Sequence, residues 1–262
     1  MIAELSLDVI LVLLVSGVLV GFINTLAGGA TIISITTFMV LGLPITQANG
    51  TNRIPAFFEN LAASVNFFRK KHLDIKLGLK LAIPAIAGNI VGSQIAVTVS
   101  EEIVKTCLGV VLVVVLIFVG FSTEKRLKRH KGAPRVRVMD YFWFFLIGVY
   151  GGYIYVGLGY MILAVALMSM RMNLVTANAI KGFVIMVSLP FSMVIFMLNG
   201  DVDYKFGTVH AVGNIIGAFL ATQYAIGWGM KFLRWFFIAV VLVCLADVLQ
   251  IIDLRTIISS LL

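Results

Sequence analysis

Residues 21–53 read GFINTLAGGATIISITTFMVLGLPITQANGTNR, and the run from Val9 to Asn52, 44 residues, contains no Asp, Glu, Lys or Arg. A bilayer is crossed by about 20 apolar residues in a helix, so this run is too long for one crossing. It is also interrupted. Gly28 and Gly29 precede a new helix start at Ala30–Thr31, and Pro44 closes the piece that follows. Ala30–Gly42 is 13 residues, roughly 20 Å as helix against a hydrocarbon core of about 30 Å. It is a tilted short span or a re-entrant segment. Broken backbone at that depth must lie against protein or a wet cavity, because lipid offers its amides no partner.

The rest of the chain fits a membrane setting. Of 262 residues, 61% are hydrophobic and 12% charged, against about 25% charged in soluble domains. That excludes a soluble globular protein, and the length allows about eight to ten spans. The net charge of +8 sits in short loops, as membrane topology requires, so nucleic acid is not an expected partner. Cys107 and Cys244 lie in apolar runs and form no CxxC or disulfide framework. His72, His130 and His210 are scattered, and no HExxH, GxSxG, P-loop or paired intramembrane carboxylates occur. No enzyme, metal or cofactor signature is present. The start, MIAELSLD, carries Glu4 and Asp8 in place of a basic region, and reads as a first span rather than a cleaved signal.

The polar segment 124–138, EKRLKRHKGAPRVRV, holds seven Lys/Arg. It divides an N-terminal membrane repeat, 1–123, from a C-terminal one, 139–262. As a cytoplasmic linker it lies near anionic lipid headgroups. The two parts align without gaps at a shift of 129: Gly28 meets Gly157, Ala48-Asn49 meets Ala177-Asn178, and LDIKLG (73–78) meets VDYKFG (202–207). After a slip of four, GNIVGS (88–93) meets GNIIGA (213–218). Internal repeats of this kind build many transporters, with the substrate site at the repeat interface. Five crossings per half make the repeats inverted and four make them parallel. Placing 124–138 inside with five crossings also puts Arg171, Lys231 and Arg234 inside, which favours inversion. The expected fold is therefore an all-α polytopic membrane protein of two homologous halves, each of four to five segments with broken or re-entrant helices.

Three groups carry the chemistry. Gly28 and Gly29 free the backbone before a helix start, where unpaired N–H groups and the positive dipole end attract an anion. Asn24, Thr25 and Thr31 add donors, although close helix packing also explains paired glycines. The second group is QANGTNR (47–53). Asn49, Thr51, Asn52 and Arg53 are costly in lipid, and a buried ionisable group there is a functional candidate. The alternative is Arg53 snorkelling to the interface. In the second half TANAIK (176–181) occupies the matching place, with Asn178 and with Lys181 one position from the partner of Arg53. Two buried cations imply an anionic ligand or a carboxylate partner. Glu59, third, is the only carboxylate between Asp8 and Asp74; it neutralises Lys181 or carries a proton. Asn89 and Asn214, beside glycines, read as packing residues more than ligand contacts. Gln94 and Gln223 also coincide at the 129 shift and are candidate lining groups.

NTLAGGATI, LGLPITQANGTNR, the basic central loop, and GVYGGYIYVGLGYMIL with TANAIK together resemble the sulfite exporter TauE/SafE family of membrane permeases. The resemblance covers essentially the whole chain, with Ala30 a mild departure from the usual glycine run. It implies about eight spans in two related halves in the cell (plasma or inner) membrane, and transport of sulfite, sulfoacetate, thiosulfate or another small anion. Carried onto matching positions, it marks Gly28, Gly29, Asn49, Thr51, Asn52 and Arg53, with Asn178 and Lys181; Gly157 and Gly159 are the corresponding backbone breaks. The residues by themselves imply only a small anion. A membrane-embedded enzyme or assembly factor in sulfur metabolism, or a passive anion channel, are the competing readings. The sequence leaves oligomeric state open.

Overall fold

The computed structural model describes residues 4–26, 29–121 and 134–224, and these form helices and connecting turns without a strand. Gly28 and most of 124–138 fall outside the described residues, as do the expected last span, Trp235–Ala246, and Cys244. Three described helices are long and apolar enough to cross a membrane: α1, Leu7–Leu26, α5, Ile75–Thr98, and α9, Leu174–Leu198. Their outward faces are aliphatic, as in Leu7, Leu11, Val15 and Leu19 of α1. Spaced by four, these form one stripe, the composition of a lipid-facing surface.

Each half opens with a helix that stops and turns back. In the first, α1 ends at Leu26 and α2, Thr31–Val40, follows. At 10 residues, α2 is too short to cross a bilayer. It returns along α1, because Phe38 and Leu41 share an apolar cluster with Val9 and Leu13 near the start of α1. In the second half, α7, Val138–Tyr153, turns through Ile154–Gly157 into α8, Leu158–Ala164, and a π-helical turn, Val165–Ser169. This arm returns to its origin: Arg135 N–H donates to Met170 O at 3.1 Å, and the Ser169 hydroxyl donates to Asp140 Oδ1. Gly157 makes the second tip possible. Its φ of 75° lies in the left-handed region, which costs glycine no Cβ clash.

Between the hairpins and the rest come α3, Ile45–Thr51, and α4, Arg53–Arg69; α6, Glu101–Phe121, follows α5, and α10, Tyr204–Tyr224, follows α9. The helices pair across the halves. α1 lies along α10 in the same direction, with Gly17 against His210 and Gly213, and Gly217 against Val18 and Phe22. α7 lies along α5 in the same way, with Gly88 against Phe145 and Val149, and Gly92 against Val149 and Tyr153. The two GNI(V/I)G segments are thus the close-approach faces of α5 and α10, where small residues let backbones touch. α4 and α9 form the centre and run antiparallel: Arg53 meets Ser192, while Gly182 meets Asn60 and Ser64. Gln94 and Gln223 are exposed. They sit on the outer faces of α5 and α10, which corrects their expected place as lining groups.

These contacts predict a sharp contrast between two glycines. A Cβ at Gly92 overlaps the Val149 carbonyl oxygen, whereas one at Gly182 finds its nearest neighbours at 3.5 and 3.6 Å. Gly92→Leu must separate α5 from α7 and costs at least ~2 kcal/mol; Gly182→Ala stays within about 1 kcal/mol of the wild type. Thermal unfolding of the purified variants in detergent measures both.

Candidate functional site

The end of a helix leaves its last carbonyl oxygens without intrahelical partners. The last turns of α1 and α7 are buried at Asn24 and Thr25 and at Gly151 and Gly152. One cation serves each end, and each comes from the opposite half of the chain. Lys181, on α9, donates to the carbonyls of Asn24 (2.9 Å) and Thr25 (3.1 Å) at the end of α1, and to Asn178 Oδ1 (2.9 Å). An ammonium has three N–H groups, and all are used. Arg53, at the start of α4, donates from Nη1 to Gly151 O (3.1 Å) and Ser192 Oγ (2.8 Å), and from Nη2 to Gly152 O (2.7 Å) at the end of α7. Its guanidinium lies 4.5 Å from the centroid of the Phe196 ring. Asn49 Nδ2 takes the next carbonyl, Tyr153 O, at 2.8 Å. Cations at helix C-termini also complement the negative dipole end.

Arg53 is 0% exposed and Lys181 2%, so neither snorkels. The counter-charge expected for both comes largely from peptide carbonyls. The sequence offered no sign of this, because the acceptors are backbone atoms 98 and 99 residues away for Arg53 and 157 and 156 for Lys181. The two cations occupy separate positions, one at each hairpin end.

A small cavity lies where the hairpin tips meet α4 and α9, lined by Asn24, Glu59, Asn60, Tyr155, Gly159, Lys181 and Ile185. It has room for about one water molecule, so a multi-atom oxyanion fits only after the surrounding elements separate. Glu59 and Lys181 both face this cavity, and Asn24 joins them. Its backbone carbonyl accepts from Lys181, while its side-chain Nδ2 donates to Glu59 Oε2 at 3.3 Å. Asn214 Nδ2, from α10, donates to the same oxygen at 3.1 Å.

The sequence-derived candidates divide by place. Asn24, Thr25, Glu59, Gly159, Asn178 and Lys181 gather at or beside the cavity. Thr31 accepts from Asn24 Nδ2 at 3.3 Å, and Ala30 N–H donates to Asn24 Oδ1 at 3.1 Å, so the start of α2 is tied to the end of α1. Gly29 is buried in that turn. Arg53 and Asn49 belong to the second tip, and Gly157 forms its turn. Thr51 Oγ1 instead accepts from Asp203 N–H at 2.8 Å, ahead of α10, and Asn52 Nδ2 is buried without a partner among the described residues. Tyr155, Asn60, Ser192 and the ligating role of Asn214 were not singled out. Tyr155 lies in the quoted glycine-spaced block, but a tyrosine among apolar residues reads as packing. Here Asn60 Nδ2 donates to its hydroxyl at 3.3 Å. Among the described residues no group of three or more His, Cys, Asp or Glu could hold a metal ion.

The family model described as sulfite exporter TauE/SafE matches residues 13–248. The chain is 26% identical over 231 residues to the probable membrane transporter protein ORF9 of a Sinorhizobium species, covering 88% of each chain. It is 25% identical to a probable membrane transporter protein of Haemophilus influenzae, covering 88% of this chain and 91% of that one. It is 24% identical to the probable membrane transporter protein YfcA of Escherichia coli, covering 85% and 83%. No solved structure matches significantly.

The buried charges predict a stability cycle. Lys181→Met leaves two helix-end carbonyls and Glu59 without their cation, and costs about 3 kcal/mol or more. Adding Glu59→Gln removes the stranded carboxylate, so the double variant melts above Lys181→Met alone. Detergent melting curves of the four proteins decide it; a double variant that melts lower than Lys181→Met contradicts the coupling.

Proposed function

We propose that this chain, which belongs to the sulfite exporter TauE/SafE family, is a multi-pass secondary transporter of the cell (plasma or inner) membrane that carries a small anion, sulfite or a related sulfur-containing anion, by alternating access between two inverted repeats. The observation that carries this reading is the pair of broken helices capped in trans. Lys181 of the second half holds the end of α1, and Arg53 of the first half holds the end of α7.

Three features support it. First, helices α4 and α9, which match at the 129 shift, run antiparallel, as inverted repeats would, and α1 and α7 are each followed by a short helix that returns along the fold, as re-entrant segments would. Discontinuous helices at a repeat interface are where transporters of this architecture hold their cargo. Secondly, the cavity lies at that interface and has room for about one water molecule, which fits a carrier that must rearrange to admit its cargo better than an open channel. Thirdly, the relatives are named probable membrane transporters, and the family description supplies the sulfur oxyanion.

In this mechanism the anion competes with the carbonyls for the two cations. Lys181 and Arg53 exchange a peptide oxygen for an anion oxygen. That exchange loosens the tips and links binding to movement. The basic composition of 124–138 suits a place beside anionic headgroups.

Purified protein in vesicles is expected to take up labelled sulfite, thiosulfate or a sulfonate with saturation, and with a steeper temperature dependence than a pore shows. Lys181→Gln and Arg53→Gln are expected to lower the flux on the order of 100-fold, the size of a lost buried charge-assisted contact, with elution in size-exclusion chromatography unchanged. Full flux in both variants removes the mechanism; flux linear in concentration to the highest values favours the channel.

A further inference from the structure

Glu59 is 1% exposed, yet no basic group among the described residues donates to it. Its Oε2 accepts from two neutral amides, Asn24 at 3.3 Å and Asn214 at 3.1 Å. The neighbouring ammonium spends its three N–H groups on Asn24 O, Thr25 O and Asn178 Oδ1. Lys181 therefore balances Glu59 across the cavity by charge alone, with every proton committed elsewhere.

The groups that face Glu59 can be set out element by element. From α9 comes Lys181, from the turn after α7 comes Tyr155, and from α1 comes only Asn24. From α10 comes Asn214, and His210, one turn earlier, lies edge-on to Phe38 with 5.1 Å between centroids. Tyr160 of α8 packs into the apolar cluster of Ile32, Ile35 and Phe38. On α4 itself Arg53 is committed to the end of α7. Among the described residues one cation and one carboxylate thus share a cavity with room for about one water molecule.

An anion that enters this cavity places a second negative charge beside Glu59, with one ammonium between them. In a site of low dielectric, that repulsion is many times its value in water. Lys181 can turn a donor to the anion only by leaving a protein oxygen, and its single positive charge is then shared between two negative groups. A proton on Glu59 answers it. The carboxylate becomes a neutral carboxyl, the net charge of the site with a singly charged anion bound equals that of the empty site, and the new O–H can donate to an anion oxygen.

We infer that Glu59 is the proton-binding site of the transporter, and that each anion moves through the cavity with a proton on its carboxyl. The inference rests on the anion-carrier reading above and adds its coupling ion. The step is a protonation only. Water on the open side supplies the proton to one carboxylate oxygen, and the carboxyl returns it to water on the other side as the anion leaves.

The test uses the full chain in vesicles with the membrane potential clamped at zero, labelled sulfite and labelled thiosulfate as probes, and a lumenal pH dye. Protein-free vesicles correct for passive sulfite entry. With an imposed inward proton gradient, the wild type is expected to accumulate the anion about tenfold for each pH unit per proton carried, and the dye to report acidification only when anion is present. Anion exchange at equal pH on both sides is expected to fall about tenfold per unit as pH rises through the working range, because the loading proton is lost. Glu59→Gln, fixed in the neutral form, is expected to exchange anion with a flat pH profile and to accumulate none against a gradient. Wild-type uptake that ignores the gradient overturns the inference and leaves the carrier reading standing. So does a Glu59→Gln protein that still acidifies the lumen, or one that elutes as folded protein but exchanges no anion. Absence of any wild-type flux overturns the carrier reading and the inference with it.

Discussion

A peptide carbonyl with no hydrogen-bond donor is expensive in an apolar interior, and a helix that stops inside a membrane protein creates several at once. The architecture depends on how this chain meets that constraint. It places a fixed cation at each interrupted end, and each cation is borne by the other half. Lys181 closes α1, Arg53 closes α7, and Asn49 adds the amide for Tyr153 O. Many transporters fill such ends with a diffusible metal cation. A tethered ammonium or guanidinium gives the same electrostatics and stays with the protein. It also fixes distances. The hairpin tips, the central pair α4 and α9, and the cavity take their positions from a few contacts between 2.7 and 3.1 Å.

That arrangement explains why the cavity is narrow. The donors best suited to an anion already hold protein oxygens, and Glu59 adds negative charge rather than removing it. Glu59, Lys181, Asn24 and Asn214 thus compensate one another electrically. A ligand gains access only by exchanging one set of partners for another. Equal contacts before and after would shift nothing, so the energy that favours the loaded form must come from oxygens that suit the cations better than the carbonyls do.

Much of this was legible in the sequence, for identifiable reasons. Glycine and proline announce interrupted helices through backbone geometry alone. Arg53 and Lys181 stood out because ionised groups are rare at such depth, and the charge-free runs marked the apolar helices. The carbonyl partners were not legible, since every residue has a carbonyl and only the tertiary fold selects among them. The glutamines show a different shortfall. Gln94 follows Asn89 by five residues, and Gln223 lies nine past Asn214. Five residues turn a helix by about 140°. Asn89 faces the protein, so Gln94 faces away from it. A match at a fixed shift along the sequence says nothing about which face of a helix a side chain takes. Tyr155 was hidden by its type: its role follows from sitting at a tip, which no local pattern encodes.

Because α1 is sealed by a residue of α9, and α7 lies along α5, the order of synthesis has a consequence of its own. When the ribosome has released only the first half, Glu59 and the open end of α1 are already in or near the bilayer, while Lys181 and Asn214 do not yet exist. Arg53 likewise waits for Gly151, Gly152 and Ser192. The nascent chain therefore passes through an interval in which its most polar interior groups are unmatched. Insertion machinery or lipid-interface shelter must hold the early helices until the later ones arrive, and a chain severed between its halves is a ready target for membrane proteases.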